Sequence, residues 1–198
     1  MKIVLEDRIR VIDLPGDKEW SEEEFFNFCM ANPELNLERD KEGNVLILSP
    51  IFLKSGMFES RVMIALGNWN DKTGLGYTFS SQSGFTLPNN AVRSPDAAWI
   101  PKEKIEALPE GELEKFGHIC PDFVVEIRSK SDRLQPLQEK MQEYIDNGSR
   151  LGFLIDPFEF KAWIYRPNKD AEIVTDFTAS LSGESVLPGF ELSLGIFH

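Results

Sequence analysis

The feature that most constrains the fold is a strand, a helix and a second strand in succession. Phe123 to Ile127 and Leu151 to Ile155 are short, nearly continuous apolar runs, typical of strands that are covered on both faces. Between them, Pro136 to Asn147 has the length of about three helical turns, with its proline in the first turn and Gly148 just beyond its end. Such a connection is a crossover that makes the two strands parallel neighbours. The sequence therefore predicts a sheet with helices packed on it.

The remaining pattern adds two helices and several antiparallel strands. Ser21 and Glu24 are typical of a capping box at the start of one helix, and Gly74 suits the end of another. We predict helices over Ser21 to Met30 and from Ser55-Gly56 to Gly74, with strands at Leu35 to Glu38, Val45 to Leu48, Tyr77 to Ser80, Phe85 to Leu87, Ala97 to Ile100, Ala162 to Tyr165 and Glu172 to Thr175. The predicted class is α/β (α+β), a mixed β-sheet flanked by helices.

The length and the cysteines bound the type of protein. A chain of 198 residues and 22.6 kDa predicts one domain, residues 1–198. Cys29 and Cys120 are far apart and form no C-x-x-C pair, which argues against a zinc site and favours a reducing compartment. Charges interrupt the apolar run of Met1 to Arg10, and no stretch reaches the ~18 apolar residues of a membrane span. We therefore expect no membrane span and a cytoplasmic location.

Two acidic residues at the ends of apolar strands are the first candidates for chemistry. Glu126 lies inside a run that should be buried, and a buried carboxylate is costly unless it is paired or binds a metal. If Ala97 to Ile100 is the antiparallel neighbour of Phe123 to Ile127, Asp96 and Glu126 meet at the same end of the sheet. Asp122 is about 13 Å from Glu126 at the rise of a strand and cannot share an ion with it. We predict that Asp96 and Glu126 hold a divalent cation.

The chemistry of these ligands indicates the cofactor and the reaction. Carboxylates without histidine or cysteine select Mg²⁺ or Mn²⁺ over zinc, and such an ion suits the hydrolysis of a phosphodiester by a metal-activated water. A nearby cation would stabilise the transition state, and Lys140 on the following helix is the best candidate for it. Arg128 and Lys130 are supporting candidates. Glu59, on an earlier helix, could complete the metal shell.

The net charge weighs against tight binding of nucleic acid. At −12, with a pI near 4.7, the whole chain repels a polyanion. The acidic residues concentrate elsewhere, however, and four basic residues surround the proposed centre: Arg128, Lys130, Arg133 and Lys140. Local basicity is therefore kept where a DNA strand would lie.

Four motifs together carry a family resemblance: S-P-D-A-A-W, P-D-F-V-V-E-I-R-S-K-S-D, L-Q-E-K-M-Q-E-Y and L-G-F-L-I-D-P. In this order they resemble the bacterial Uma-two family of restriction-endonuclease-like proteins, in the PD-(D/E)xK superfamily. The match covers about residues 45–167 and leaves an N-terminal helix and hairpin and a C-terminal β extension around this core.

The resemblance implies roles for individual residues. Asp96 is implied as the aspartate of the PD motif, Glu126 as the acidic residue of the next strand, and Lys140 as the lysine, displaced to the following helix as is usual in this family. The superfamily pattern E-x-K would place a lysine where this chain has Arg128. The resemblance also implies a DNA substrate and a homodimer in which each subunit cuts one strand.

Three functions from different classes follow from these residues. The first, which we expect, is a Mg²⁺-dependent endonuclease that cuts DNA. The second is a catalytically inactive nuclease fold that serves as a nucleic-acid-binding or protein-assembly module, which Arg128 in the lysine position favours. The third is a two-carboxylate glycosidase, which would show no dependence on metal and a bell-shaped pH profile.

Overall fold

The computed structural model of the protein describes residues 20–198. The stretch Met1 to Arg10, on which the cytoplasmic prediction partly rests, lies outside the described residues. Within 20–198, none of the helices combines the length and the apolar composition that a membrane crossing needs.

The described chain contains four α-helices and twelve short strands. The helices are α1 Glu22–Ala31, α2 Leu53–Thr73, α3 Lys102–Glu106 and α4 Leu134–Asp146, with 3₁₀ turns at Glu112–Glu114 and Leu194–Phe197. The strands are β1 Asn36–Arg39, β2 Val45–Leu48, β3 Gly76–Ser80, β4 Phe85–Thr86, β5 Val92–Arg93, β6 Ala97–Pro101, β7 Phe123–Ile127, β8 Leu151–Asp156, β9 Lys161–Tyr165, β10 Glu172–Val174, β11 Ser180–Ser182 and β12 Glu191–Ser193. The predicted mixed class, with sheets flanked by helices, is confirmed.

A six-stranded sheet forms the centre of the fold, in the order β10-β9-β8-β7-β6-β3. Strands β7 and β8 are parallel and are joined through α4, as the crossover pattern predicted. All other pairs in this sheet are antiparallel, including β6 with β7. The sheet therefore places the start of β6 beside the end of β7.

A second sheet, in the order β2-β1-β5-β4, covers part of α4, and β11 and β12 form a separate hairpin. The β1–β2 hairpin was predicted, whereas β5, β11 and β12 were not. Strand β5 has only two residues, and β11 and β12 each have one buried residue, Leu181 and Leu192, between polar neighbours. Strands this short have too few alternating positions to give a recognisable pattern.

Two apolar cores lie on the two faces of the central sheet. Because side chains alternate along a strand, Phe123, Val125 and Ile127 face the core formed with α2 and the C-terminal segment, whereas Val124 faces α4. Gly152 of β8 leaves room for the side chain of Met141 from α4, whose terminal methyl group lies where a Cβ would be. Glu126 therefore lies on the face that α4 covers.

The helix boundaries follow the predicted signals closely. Ser21 and Glu24 form the capping box of α1, and Gly74 ends α2 in the left-handed conformation, with φ 63°. Both α2 and α4 begin two residues earlier than predicted, so that Pro136 lies within the first turn of α4.

Candidate active site

The register of β6 and β7 brings Asp96 and Glu126 together. Ala97 is paired with Val125, and one further step in this antiparallel register puts Asp96 opposite Glu126. The Asp96 Oδ2 atom accepts a hydrogen bond of 2.7 Å from the N–H of Ile127, so this carboxylate is fixed at the end of β7. Asp96 is half-buried, and Glu126 is only 4% exposed. The two carboxylates thus share one end of the central sheet.

Helix α4 brings Lys140 to the same place. The Nζ atom of Lys140 is 2.8 Å from Glu126 Oε1, and the hydroxyl of Tyr144, one turn further along the helix, donates to the same oxygen at 3.2 Å. The side chain of Lys140 keeps 15% of its surface exposed. Helix packing on the sheet therefore places an ammonium group beside the buried carboxylate.

A chain of alternating charges continues from Lys140 into the second sheet. Glu38 of β1 accepts from Lys140 at 2.9 Å and contacts Arg93 of β5 at 3.2 Å, and Arg93 in turn contacts Glu143 of α4 at 2.6 Å. None of these three partners was predicted. The one available signal was that the predicted strand ends at Glu38 and is followed directly by Arg39, two consecutive charges that both prove to be buried.

Burial raises the pKa of both central carboxyl groups. The pKa of Asp96 rises to about 7, with the charge of Glu59 adding to the effect and the N–H of Ile127 opposing it. The pKa of Glu126 rises to about 8, since burial outweighs the attraction of Lys140 and the charge of Asp96 adds to it. Near neutral pH and without a further cation, Asp96 is therefore partly protonated and Glu126 mostly protonated, as expected of buried carboxyl groups that lie close to other carboxylates.

The neighbouring charges behave differently. Burial opposes the protonated form of Lys140, but the charges of Glu126 and Glu38 outweigh it and raise the pKa of Lys140 above its ordinary value. Burial alone would raise the pKa of Glu38, but its bonds to Lys140 and Ser94 help to lower it. Lys140 is thus a permanent cation, which can stabilise negative charge but cannot act as a general base.

Glu59 lies near the two carboxylates without joining them. It is half-buried, and its Oε2 atom accepts a long hydrogen bond of 3.5 Å from Ser81. Burial raises its pKa, and the charge of Glu126 adds to this. Among residues 20–198, no three side chains of Asp, Glu, His or Cys converge into a metal-binding group. Glu59 is therefore an electrostatic neighbour of the pair in this structure.

The remaining basic candidates, Arg128, Lys130 and Arg133, form no ion pair with Asp96 or Glu126 among the described residues. Arg128 contacts the buried Asp156 at 2.6 Å and the backbone oxygen of Asp132 at 3.0 Å, because β7 ends at Ile127 and the chain turns. Lys130 and Arg133 are exposed, and neither forms an ion pair with another described residue. Of the four basic residues expected around the site, Arg128 and Lys140 are thus paired with carboxylates. Asp122, as predicted, lies apart, and it pairs with Lys104 at 2.7 Å.

The pair of carboxylates fits a hard divalent cation on chemical grounds. Asp96 Oδ2 and Glu126 Oε1 are engaged, whereas Asp96 Oδ1 and Glu126 Oε2 accept no hydrogen bond from any of the residues 20–198. Mg²⁺ commonly takes only one or two carboxylates and fills its other positions with water or phosphate oxygens. A site with two carboxylates is therefore sufficient, although the predicted third ligand does not close it.

Comparisons with known proteins agree with this architecture. A family model described as "Putative restriction endonuclease", of the Uma2 (Uma-two) family, matches residues 22–195. A crystal structure from Anabaena variabilis, described as that of "a putative nuclease", is 20% identical, with a TM-score of 0.71 over 83% of this chain and 90% of that one. At this identity the likeness shows a shared fold. A comparison with curated proteins finds no match. Because the family model spans most of its length, the chain belongs to the Uma2 family, as its four motifs predicted.

Proposed function

We propose that the protein is a metal-dependent endonuclease that hydrolyses phosphodiester bonds of DNA. The observation that carries the proposal is the convergence of Asp96, Glu126 and Lys140 at one end of the central sheet. Such a hydrolysis needs carboxylates that bind a cation and an ammonium group that stabilises the negative charge of the transition state. Family membership supports the same reaction class.

Asp96 and Glu126 would hold a Mg²⁺ or Mn²⁺ ion through the oxygens that face no other donor. When bound, the ion would polarise a phosphoryl oxygen and make a water molecule more acidic. Glu59 adds negative charge nearby, which favours a cation in this position. Its carboxyl group would complete the shell of the ion, directly or through water.

Lys140 would act on the phosphate itself. An ammonium group has three N–H donors, and two of them are directed to Glu126 and Glu38. The third can bind a phosphoryl oxygen, where it would stabilise the negative charge that develops as water attacks phosphorus and the bond to the leaving oxygen breaks. Since its pKa is raised, Lys140 would give up no proton in this reaction.

The charge of the protein favours a substrate that is held by contacts from a second subunit rather than by strong overall attraction. The net charge is −12, and only Lys130 and Arg133 remain exposed and unpaired among the basic residues predicted around the site. A homodimer, which would double these contacts, is part of the proposal. Light scattering at several protein concentrations tests it.

The test of the proposed function is cleavage of supercoiled plasmid with increasing Mg²⁺ or Mn²⁺. The wild type should nick the plasmid only with metal, whereas Asp96→Asn, Glu126→Gln and Lys140→Met should each lower the rate by about 100-fold or more. Glu139→Gln is the matched control, because Glu139 is the exposed neighbour of Lys140 and bonds only Gln135 among the described residues. Cleavage that persists in Asp96→Asn and Glu126→Gln would contradict the proposal.

A second candidate, an inactive nuclease fold that mediates assembly, is favoured by the surface of β2. This strand forms one edge of the second sheet, yet Leu46, Ile47 and Leu48 expose 38, 58 and 37% of their surface. Exposed apolar edge strands tend to pair with another chain. If this candidate is right, partner binding will not change when Mg²⁺ is removed, and plasmid will stay intact at every metal concentration.

A further inference from the structure

Lys140 has a second carboxylate partner that lies outside the proposed metal site. Glu38 belongs to β1, a strand of the smaller sheet, and is 102 positions before Lys140 in the chain. Its Oε1 atom accepts from Lys140 at 2.9 Å and from the N–H of Ser94 at 3.0 Å, and its Oε2 atom contacts Arg93 at 3.2 Å. Both oxygens are therefore occupied, and Glu38 has none free for a metal.

Glu38 belongs to a ring of four charged side chains that is closed by helix α4, which carries both Lys140 and Glu143. Arg93 contacts Glu38 on one side and Glu143 on the other, and Glu143 lies three residues after Lys140 on α4. Residues three apart are neighbours on a helix surface, so the ring begins and ends on the same face of α4. A side-chain amide of Asn89 also donates to Glu143 at 2.9 Å. With 2% exposure, Glu38 has little freedom to leave this arrangement.

The ring determines where the ammonium group lies. Lys140 has four rotatable carbon bonds, and Glu126 alone would draw its Nζ atom towards the oxygens that are proposed to bind the cation. Glu38 contacts the same Nζ atom from a second strand, at 2.9 Å against 2.8 Å for Glu126. The ammonium is thereby shared between two carboxylates.

We propose that Glu38 is a positioning residue that holds the ammonium of Lys140 between β1 and β7, so that its third N–H is directed to the substrate phosphate and Glu126 remains available to the cation. This inference rests on the proposed function, since it assumes that Lys140 contacts the substrate. It adds a residue from the N-terminal hairpin to a site otherwise built by β6, β7 and α4. The hairpin thus has a role in the reaction without touching DNA or metal.

The first test is Glu38→Gln, which removes the charge and keeps the shape. The kcat for plasmid nicking should fall about 10- to 100-fold, with KM for DNA changed less than about twofold, as is typical when a group that orients a catalytic residue is lost. The control is Glu42→Gln on the same hairpin, where the glutamate is exposed and contacts Lys41. A kcat for Glu38→Gln that equals that of the control would overturn the proposal.

The second test asks whether Glu38 acts through Lys140. In the wild-type background, Glu38→Gln should weaken Mn²⁺ binding several-fold. In the Lys140→Met background, the same substitution should change neither the residual rate nor the Mn²⁺ affinity by more than about twofold. A purely structural role would give the same loss in both backgrounds and would overturn the proposal. Calorimetry with Mn²⁺ gives this result even without a measurable rate.

Glu38→Asp provides a variant that keeps the buried charge. It should retain the melting temperature of the wild type within a few degrees, because Arg93 keeps a partner, but it should still lower kcat, since the shorter side chain draws the ammonium away from Glu126. An unchanged kcat would overturn the positioning role. If the wild type binds no Mn²⁺ and leaves DNA intact, both the proposed function and the positioning role of Glu38 are overturned. If the wild type binds Mn²⁺ and cuts DNA but the Glu38 variants do so equally well, only the positioning role is overturned.

Discussion

Lys140 and Glu126 form an ion pair of 2.8 Å between the helix and the first strand of the same crossover unit. Both side chains are largely buried, with 15% and 5% of their surface exposed. The crossover that determines the topology of the sheet therefore also assembles a carboxylate and a cation at one end of it. Several properties of the protein should depend on this pair.

Removal of Lys140 should destabilise the fold. In Lys140→Met, the buried carboxylate of Glu38 loses one of its two cationic partners, and loss of one partner from a buried pair costs about 3–5 kcal/mol. We expect a loss of this size in the free energy of unfolding by urea at neutral pH. The matched control is Lys102→Met, which removes an exposed pair with Glu106 and should cost less than about 1 kcal/mol. Equal losses in the free energy of unfolding of the two variants would contradict the expectation that the buried pair contributes more than the exposed one.

The stability of the metal-free protein should fall as the pH rises from about 4 to about 8. The pKa is about 7 for Asp96 and about 8 for Glu126 in the folded chain, whereas ordinary carboxyl groups titrate near ~4 when unfolded. Between these values the folded state binds more protons than the unfolded state, so the free energy of unfolding decreases with increasing pH. Urea titrations at about pH 6 and pH 8.5 measure this slope. It should be smaller in Asp96→Asn and in Glu126→Gln, and an unchanged slope in both would contradict the assignment.

Addition of Mg²⁺ or Mn²⁺ should reverse that loss. A cation replaces the protons on the two carboxyl groups, so it should stabilise the protein more at about pH 8.5 than at about pH 6, where protons compete. The measurement is the melting temperature with and without metal at the two pH values. Equal shifts at both pH values would show that the ion binds elsewhere.

Replacement of Arg128 by lysine should reduce stability without increasing cleavage. The guanidinium of Arg128 contacts Asp156 at 2.6 Å and the backbone at Asp132, and a lysine cannot make both bonds in that geometry. We expect a cost of about 1–3 kcal/mol in urea unfolding and no gain in the rate of plasmid nicking. A clear gain in rate would mean that the lysine of the E-x-K pattern acts from this position, contrary to the arrangement of Lys140.

His118 should contribute to stability only while it is protonated. It connects Glu22 of α1 with Glu112 through contacts of 2.9 Å each, and these hydrogen bonds raise its pKa. Its contribution is full below the unfolded pKa of ~6.5 and is lost as the pH rises through the higher folded pKa. His118→Gln should therefore lower the melting temperature slightly at about pH 5.5, and by less at about pH 8.5, since an exposed pair contributes below about 1 kcal/mol. A larger effect at the higher pH would contradict this.

The sequence was sufficient to place Asp96, Glu126 and Lys140 because each follows from local rules. Alternation within a strand, antiparallel pairing of neighbours and helical spacing fix positions over a few residues, and the crossover then brings the elements together. The same rules did not predict the pairing of Arg128 with Asp156, because β7 ends at Ile127 and Arg128 lies beyond the strand.

The charged residues of the second sheet could not be predicted for a different reason. Glu38 meets Lys140 across 102 positions, and Arg93 meets Glu143 across 50. Such contacts depend on how the two sheets pack, and the periodic pattern of neither segment predicts that packing. Strand β5, which carries Arg93, has only two residues. The sequence thus predicted the groups proposed for the reaction but missed those proposed to orient them.

The most direct test of the account is a calorimetric titration of the protein with Mn²⁺ at about pH 8.5, where protons compete least. The wild type and the control Glu139→Gln should show one binding event. Glu126→Gln and Asp96→Asn, each with unchanged circular dichroism, should bind at least about tenfold more weakly, because a ligand of the ion is lost. Identical isotherms for all four proteins would contradict the claim that Asp96 and Glu126 share one cation.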